Sequence, residues 1–527
     1  MSVNQIKVSR KQVQKSGWNK RLIYIVSATI IFLGALSALV FIKFSDKFAP
    51  LEIVSAENGQ IIRVPRGGNL QAAINRAQGG DIIELQAGET YYGEIKLPKK
   101  ALTDFITIQT SAAGQLPADK RVSPANAALM AKIVTRGQGA SAISTENGAN
   151  YYRFVGIEFA PNNADYIYNL IYLGTEDEKI ADVPRFFEFD RCYLHPYKTG
   201  VTRRGVALNS ADTTIKNSYL SGFAGNQQET QAIAGWTGTK NVKIINNYLE
   251  GGAENLLFGG ADPASAELIP SDIEVRGNYF FKPADWLGKN TVKNAFELKN
   301  AKRVEFVGNY IEINRAGAAF AITVRNQSGS APFSTIEDVL IKDNVIASAG
   351  QGVNILGSDD VHPSRTLKRL NIVNNLFLDI TNKSEPGTGY FVQISGGEDV
   401  LIANNTVFNE GNLTTFYGDL PKNFLFRDNI VGHGNYGIHG HQNIKSAQGQ
   451  RLFQNNVIVN NRKVGQDDSS FPPGNFWTQD YKSIGFIDSA QNDFRLAAGS
   501  RFKGKGKDKS DIGSNINPAD YLKVKAN

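Results

Sequence analysis

The sequence predicts an all-β solenoid, a parallel β-helix, preceded by one transmembrane helix. A phrase of strand, polar corner and strand recurs about every 30 residues, which is typical of a repeat architecture. Apolar residues alternate on both sides of each corner, as in Val304-Glu305-Phe306, with the two-residue period of a β-strand. Near the N-terminus, the run 22–42 contains no charged residue. The 527-residue chain is therefore expected to form one elongated repeat domain behind a membrane segment.

The corner of the repeated phrase is almost always Asn. This residue tolerates the left-handed backbone conformation, and its amide can hydrogen-bond to the Asn of the next coil to form a ladder. We therefore interpret these residues as structural. A coil of about 30 residues holds three short strands, and stacked coils place neighbouring strands about 4.8 Å apart. The corners are Ser218, Asn247, Asn278, Asn309, Asn344, Asn375, Asn405, Asn429 and Asn456.

A short amphipathic helix is predicted before the first coil. Leu70, Ala73, Ile74 and Ala77 follow the i, i+3, i+4, i+7 spacing of a helix face. Asn69 is suited to the N-cap, and Gly79 to ending the helix. We expect this helix to cover the open end of the β-helix, which would otherwise expose its core and an unpaired strand edge.

The uncharged run 22–42 is long enough to span a bilayer, which takes about 20 apolar residues. Six Lys or Arg residues precede it within 1–21, and the positive-inside rule places that basic arm in the cytoplasm. The main domain is then extracytoplasmic, either periplasmic or extracellular. We divide the chain into the arm 1–21, a signal anchor 22–42, a linker 43–60, a β-helix 61–515 and a tail 516–527; a cleaved signal peptide is the alternative for the anchor.

Charge and cysteine content exclude several classes. The net charge is +7, and the basic arm supplies six of these charges, so the body shows no basic surface for nucleic acid. The single Cys192 excludes internal disulfides and cysteine-based zinc sites. With capped ends, the solenoid is expected to be a monomer.

Two segments carry a resemblance to a known family. The run 69–97 (NLQAAINRAQGGDIIELQAGETYYGEIKL) resembles the opening of right-handed parallel β-helix proteins of the pectate-lyase-like superfamily, and 492–514 resembles their closing segment. The resemblance covers roughly 60–515. It implies a polysaccharide partner and a lyase, hydrolase, epimerase or esterase activity, or glycan binding alone, because the fold does not choose among them.

In proteins of this superfamily, the functional site commonly lies on the outer face of one sheet. Polar residues of this chain align on the strand before the corner, where such a site is expected. Four strands align as FELK (296–299), FAIT (320–323), VNIL (353–356) and VQIS (392–395). This alignment predicts two columns, and charged residues lie beside both strand ends. The first column is Glu297, Ala321, Asn354 and Gln393; the second is Lys299, Thr323, Leu356 and Ser395; the flanking residues are Lys289, Lys293, Arg325, Asn326, Asp359, Asp360, His362 and Arg365.

This cluster predicts a groove for an acidic glycan, although a solvated charged face would show the same pattern. A uronate lyase or epimerase needs a base and a group that neutralises the carboxylate. Lys299 is the preferred base, and Arg325 and His362 are the other catalytic candidates. Asn354, Gln393, Lys289, Lys293 and Trp286 are candidates for substrate binding. Glu297, Asp359 and Asp360 are candidate ligands for Ca²⁺, which prefers oxygen.

Other chemistries stay open. Asp359-Asp360 and Gly432-His433-Gly434 resemble elements of polygalacturonases, which are hydrolases, but two coils separate them. Asp360-Val361-His362-Pro363 resembles, in altered order, the Asp-Pro-His-Asp of alginate epimerases. His433, His439 and His441 form a second candidate cluster for metal or base work. A non-catalytic glycan-binding or envelope protein is the remaining alternative.

Overall fold

Parallel strands from three sheets alternate along the chain. The computed structural model describes residues 49–56, 59–174, 179–381, 383, 387–440, 452–460 and 471–527, and all the coils belong to the compact unit Pro50–Asn527. Each coil contributes one strand to sheet 1, then one to sheet 2 and one to sheet 3, and then returns to sheet 1 one position further along. This order fits a right-handed parallel β-helix, so the predicted fold and the resemblance to β-helix proteins are confirmed.

Sheet 1 contains β1 (Glu52–Ala56), β2 (Gly59–Val64), β3 (Ile82–Leu85), β6 (Ile106–Thr110), β9 (Asn150–Val155), β12 (Arg185–Asp190), β15 (Ala211–Lys216), β18 (Lys240–Ile245), β21 (Ser271–Arg276), β24 (Ala301–Val307), β27 (Ile336–Lys342), β30 (Lys368–Val373), β33 (Glu398–Ala403), β36 (Leu425–Arg427) and β39 (Phe453–Gln454). Its first pair, β1 and β2, is antiparallel and lies partly in the segment predicted as a linker.

Sheet 2 contains β4 (Thr90–Tyr92), β7 (Ala131–Val134), β10 (Ile157–Ala160), β13 (Tyr193–Leu194), β16 (Tyr219–Phe223), β19 (Tyr248–Gly251), β22 (Tyr279–Phe281), β25 (Tyr310–Glu312), β28 (Val345–Ser348), β31 (Leu376–Ile380), β34 (Thr406–Asn409), β37 (Ile430–Gly432), β40 (Val457–Val459) and β41 (Phe476–Thr478).

Sheet 3 contains β5 (Ile95–Leu97), β8 (Ile143–Thr145), β11 (Ile167–Leu173), β14 (Thr202–Leu208), β17 (Gln231–Gly235), β20 (Glu254–Phe258), β23 (Phe296–Leu298), β26 (Ala318–Thr323), β29 (Gln351–Leu356), β32 (Val392–Ser395), β35 (Thr414–Phe416) and β38 (Ile438–His439). An antiparallel pair, β42 (Phe486–Asp488) and β43 (Asp493–Leu496), follows the coils. Among the described residues, the α-helices are α1 (Leu70–Arg76) and α2 (Pro518–Ala526).

Short 3₁₀ turns connect some strands. They are Ala113–Gln115, Pro124–Leu129, Ile180–Asp182, Ala266–Leu268, Ala284–Trp286, Tyr481–Ile484, Ser489–Gln491 and Lys507–Lys509.

The predicted asparagine ladder is confirmed. The backbone N–H of each corner residue donates to Oδ1 of the Asn in the next coil, at 2.8–3.0 Å along the whole row. The side-chain Nδ2 donates to the same oxygen and to a main-chain carbonyl, as in Asn344, whose Nδ2 lies 3.0 Å from the Phe306 oxygen. Asn475, which the sequence reasoning missed, extends the row by one coil.

One detail of the ladder prediction was wrong. The left-handed conformation falls on the residue before each ladder Asn, for example Asn246, Asp343 and Asn374, with φ between 54° and 58°. The left-handed residue turns the chain, so that the ladder Asn itself points into the coil interior, where its amide is buried.

The predicted capping helix is present as α1. Asn69 Oδ1 accepts from the Ala72 N–H at 2.9 Å, and Leu70, Ala73 and Ile74 are buried. The helix ends at Arg76, before Gly79, and Lys100 Nζ donates to the Ile74 carbonyl at 2.7 Å. A lysine from the first coils thus satisfies a carbonyl that the helix end leaves without a partner.

The structure describes the predicted tail but not the predicted anchor. The predicted anchor 22–42 lies outside the described residues, and no helix within them has the length and apolar content to cross a bilayer. The anchor therefore stays a prediction. The predicted tail 516–527 contains α2, whose Tyr521 stacks on Tyr310 with ring centroids 6.0 Å apart, while Lys525 pairs with Glu312 at 2.9 Å.

We expect Asn344→Ala to lower the free energy of unfolding by about 3 kcal/mol, because it removes several hydrogen bonds and leaves the buried Asn309 N–H without a partner. Asn371→Ala, on the outer surface of sheet 1, is the matched control and should change stability by about 0.5 kcal/mol or less. Urea denaturation of both variants checks this. Equal losses in the two variants would contradict a stabilising ladder.

Candidate functional site

The candidate site is a cleft of about 470 Å³ on the outer face of sheet 3, beside strands β23, β26 and β29. It contains most of the polar residues predicted from the sequence. Its lining residues are Lys293, Asn294, Glu297, Lys299, Ala321, Thr323, Arg325, Asn326, Gln327, Asn354, Asp359, Val361 and His362.

The two predicted columns are formed by the register of sheet 3. Glu297 pairs with Ala321, Ala321 with Asn354, and Asn354 with Gln393. Thr323, Leu356 and Ser395 align in the same way, and the Arg325 N–H donates to the Lys299 carbonyl at 2.9 Å. The alignment holds because parallel strands in consecutive coils repeat the same position about 4.8 Å further along.

Lys299 follows β23 and projects into the cleft. Its side chain is about one-fifth exposed, and its Nζ lies 3.5 Å from the carboxylate of Glu297. Glu297 is almost buried and also accepts from Asn294 Nδ2 at 2.9 Å. The sequence reasoning did not single out Asn294, which orients the carboxylate partner of the lysine.

Arg325 connects β26 to the loop that follows β29. It forms an ion pair with Asp360 and lies 3.8 Å from Asp359. Asp359 has a buried side chain that accepts from the backbone N–H groups of Asn326 and Val361, at 2.6 and 2.8 Å. Burial alone would raise the pKa of Asp359, but these hydrogen bonds, one from the His362 N–H and the charge of Arg325 outweigh it and lower that pKa.

The predicted Ca²⁺ site is not supported. Within the described part of the chain, no three His, Cys, Asp or Glu side chains are arranged to hold a metal ion. Asp359 is used as the hydrogen-bond acceptor of its own loop, Asp360 pairs with Arg325, and Glu297 pairs with Lys299. The adjacent carboxylates thus serve the loop and the two cations.

Three predicted substrate-binding residues do not line the cleft. Trp286 and Lys289 lie in and after the 3₁₀ turn Ala284–Trp286, between sheets 2 and 3. Gln393 belongs to the first column but lies one coil beyond the cleft, with Oε1 3.4 Å from Gln351 Nε2. The turn that carries Trp286 interrupts the strand register, so its position could not be counted from the repeat.

The histidines of the second cluster have different surroundings. His433 is buried against Phe471 and Trp477, with ring centroids 5.2 and 5.9 Å away. His439 stacks on Tyr436 at 5.0 Å. His441 lies outside the described residues.

Sequence reasoning missed two buried ionisable residues next to the cleft. Glu254 opens β20, is 1% exposed and accepts from Gln231 Nε2 at 2.8 Å. Burial, with the charge of Glu297, raises the pKa of Glu254. Lys282 is fully buried, donates to the Gly252 carbonyl at 2.7 Å, and has a pKa that burial lowers. For Glu254, the signal was an acid at the start of the strand ENLLF (254–258), which ends in three apolar residues.

The lowered pKa of Asp359 predicts a pH dependence of the loop. A carboxyl group whose pKa falls on folding stabilises the folded state above its unfolded pKa, about 3.9, and this contribution is lost as the pH falls through the folded pKa. We therefore expect hydrogen exchange at the Asn326 and Val361 amides to lose protection below about pH 4, relative to the ladder amide of Asn344. Asp359→Asn should remove this dependence; an unchanged profile in that variant would contradict the assignment.

Comparison with known proteins adds a family match and distant structural likenesses. A family model described as periplasmic copper-binding protein (NosD) matches residues 272–488, which is less than half of the chain. No curated protein matches the sequence.

Three solved structures show how low the sequence identity and the TM-score of these likenesses are. The PL6 family alginate lyase AlyGC has 10% identity and a TM-score of 0.48, over 87% of this chain and 57% of that one. A mannuronic acid specific polysaccharide family 6 lyase from human gut microbiota has 13% identity and a TM-score of 0.42, over 88% and 98%. An alginate lyase from Paenibacillus sp. str. FPU-7 has 14% identity and a TM-score of 0.35, over 72% and 98%. Likenesses this weak say nothing about the chemistry of the cleft.

Proposed function

We propose that the protein binds an acidic polysaccharide in the cleft of sheet 3 and acts on it as a lyase or epimerase. The observation that carries the proposal is the arrangement of Lys299 and Arg325. They lie on adjacent coils joined by a main-chain hydrogen bond, and both side chains line the same cleft. A lysine that serves as the base next to an arginine suits a uronate, because the arginine stabilises the negative charge that the carboxylate gains when the neighbouring carbon loses a proton.

Arg325, Asn354 and Lys299 have different roles in this proposal. Arg325 and Asn354 bind the uronate carboxylate. Asn354 lines the cleft, and its buried Oδ1 has no hydrogen-bond partner among the described residues, so its amide is not fully used by the fold. Lys299 in its neutral form takes the proton from the carbon next to the carboxylate.

The electrons left on that carbon decide between the two reactions. In a lyase they form a carbon–carbon double bond while the adjacent glycosidic C–O bond breaks, and His362, in the same cleft, donates the proton that the leaving oxygen needs. In an epimerase no bond to oxygen breaks, and His362 instead donates a proton to the opposite face of the same carbon.

Glycan binding without catalysis is the second candidate, and a specific observation favours it. Lys293, Lys299 and Arg325 each have a carboxylate partner: Glu229, Glu297 and Asp360, respectively. A carboxylate neighbour stabilises the protonated form of a lysine, whereas a general base has to be neutral. Binding requires no such neutral form.

A polygalacturonase-like hydrolase is less well supported. It would require one carboxylic acid and one free carboxylate flanking the scissile bond. Asp359 is bound by main-chain N–H groups of its loop, and Asp360 is paired with Arg325.

The copper named in the family description is not part of this proposal. The chain contains one cysteine, Cys192, which is buried, and no three His, Cys, Asp or Glu side chains within the described residues are grouped to hold a metal ion. The periplasmic location in that description does agree with the topology predicted from 22–42. We therefore propose an extracytoplasmic domain with an N-terminal anchor.

Lys299→Ala is expected to lower product formation at least 100-fold, as is usual for the loss of a general base. The assay incubates the protein with a panel of acidic glycans, with and without chelator, and follows the absorbance of unsaturated uronate and the exchange of solvent deuterium into the sugar. Lys302→Ala, in the same coil but on sheet 1, is the matched control and should act like the original protein.

The outcomes separate the candidates. Full activity in Lys299→Ala would exclude the proposed base. Affinity for a glycan without any product in the original protein would favour the binding candidate. New reducing ends without unsaturated product would favour a hydrolase.

The anchor can be tested by fractionation. The full chain should stay with membranes after alkaline carbonate washing, whereas the fragment 50–527 should be released. Release of the full chain would contradict a retained anchor and favour a cleaved signal.

A further inference from the structure

Tyr417 is an exposed aromatic residue that the sequence reasoning did not single out. It directly follows β35 in sheet 3, and 45% of its surface is exposed. Its hydroxyl donates to the Ile355 carbonyl in β29 at 2.9 Å. Because β32 lies between β29 and β35, the side chain reaches back across one strand toward the cleft.

Tyr417 is held in place both at its backbone and at its hydroxyl group. The Tyr417 N–H donates to the Ile394 carbonyl at 3.2 Å, and the next residue, Gly418, packs so closely on Ser395 that a Cβ there would lie 2.1 Å from Oγ. A side chain at this position would require the Ser395 hydroxyl to move. Since the Tyr417 hydroxyl is tied as well, a ligand that stacks on the ring does not have to order it first.

The electrostatic surroundings connect Tyr417 to the cleft. Burial of the hydroxyl raises the pKa of Tyr417 to about 12; the nearby charge of Arg325 opposes the shift, and that of Asp360 adds to it. Arg325 is one of the two residues assigned to the glycan carboxylate. The phenol stays neutral at ordinary pH, so the exposed ring offers an uncharged face beside that charged pair.

We propose that Tyr417 is a stacking platform for a sugar ring of the same glycan, on the C-terminal side of Lys299. This inference rests on the proposed function for the class of ligand. The faces of a sugar ring that carry C–H groups pack on aromatic rings, and an amphipathic tyrosine suits such a contact. The glycan would then run along the stack of coils from the strand of Lys299 toward that of Tyr417, which is four coils or about 19 Å away. The phenol ring is nearer, because its hydroxyl bonds to β29, only two coils or about 10 Å from the strand of Lys299.

Stacking predicts a dependence on ligand length. A short oligosaccharide fills only the cleft, whereas a longer one also reaches Tyr417. Calorimetry with oligomannuronates and oligogalacturonates, from dimers to octamers, should show an affinity gain once the ligand reaches the platform. Tyr417→Ala should lose about tenfold in affinity for the long ligands and nothing for the shortest ones that bind. Tyr417→Phe, which keeps the ring, should stay within about twofold.

Tyr92→Ala is the matched control, because Tyr92 is 56% exposed but lies on sheet 2. It should bind all lengths as the original protein does. If Tyr417→Ala melts early, Tyr417→Leu replaces it, since leucine keeps apolar bulk without an aromatic face.

The results distinguish this inference from the proposed chemistry. An unchanged length dependence in the Ala or Leu variant overturns the platform even if Lys299→Ala is inactive. A length-dependent loss without any product from the original protein supports the platform while the lyase or epimerase activity fails. If neither oligosaccharide binds the original protein at any length, the platform is wrong.

Discussion

The row of buried amides that joins one coil to the next is the interaction on which the rest of the structure depends. Each ladder Asn satisfies a main-chain N–H and a main-chain carbonyl of the preceding coil, so the corner between sheets 1 and 2 falls at the same place in every coil. A slip of one residue would leave these groups buried without partners and turn every strand side chain to the wrong face. The ladder thus fixes the register of sheet 3, although it lies at another corner. Because the register is fixed, Lys299, Arg325 and Asn354 project from consecutive coils into one cleft.

Much of the fold and part of the site could be predicted because the repeat allows positions to be counted. The strand period and the ladder gave the columns of sheet 3, and these placed Glu297 beside Ala321 and Asn354. Counting fails wherever a residue leaves the strands. Trp286 lies in a 3₁₀ turn between two sheets. The position of the Tyr417 side chain depends on a hydrogen bond from its hydroxyl to a carbonyl two coils away, which the sequence spacing does not reveal. Asp359 and Asp360 show a second limit of prediction from sequence, because residue identity alone does not tell whether a carboxylate binds a metal ion or accepts hydrogen bonds from its own loop.

Two buried ionisable residues beside the cleft, Glu254 and Lys282, affect how much negative charge the β-helix places near a bound ligand. Glu254 and Lys282 lie within the wall of the β-helix, where burial favours the neutral form of each. Lys282 is held by main-chain carbonyls of the turn between β19 and β20, so it supports the strand that carries Glu254. A carboxyl group held neutral there adds little repulsion to an anionic ligand, whereas an ionised Glu254 would face the like charge of Glu297.

The balance of charges in the cleft also bears on where affinity can come from. Lys293, Lys299 and Arg325 meet an incoming uronate already paired with carboxylates, so a glycan carboxylate exchanges one ion pair for another. Such an exchange gains little net free energy, because the repulsion between the two carboxylates offsets part of the new attraction and surface ion pairs are weak in any case. Charge then selects the type of sugar and sets its orientation, while uncharged contacts supply the larger share of affinity. A rigid, neutral aromatic face next to the charged residues, as Tyr417 provides, meets that requirement without adding charge to the cleft.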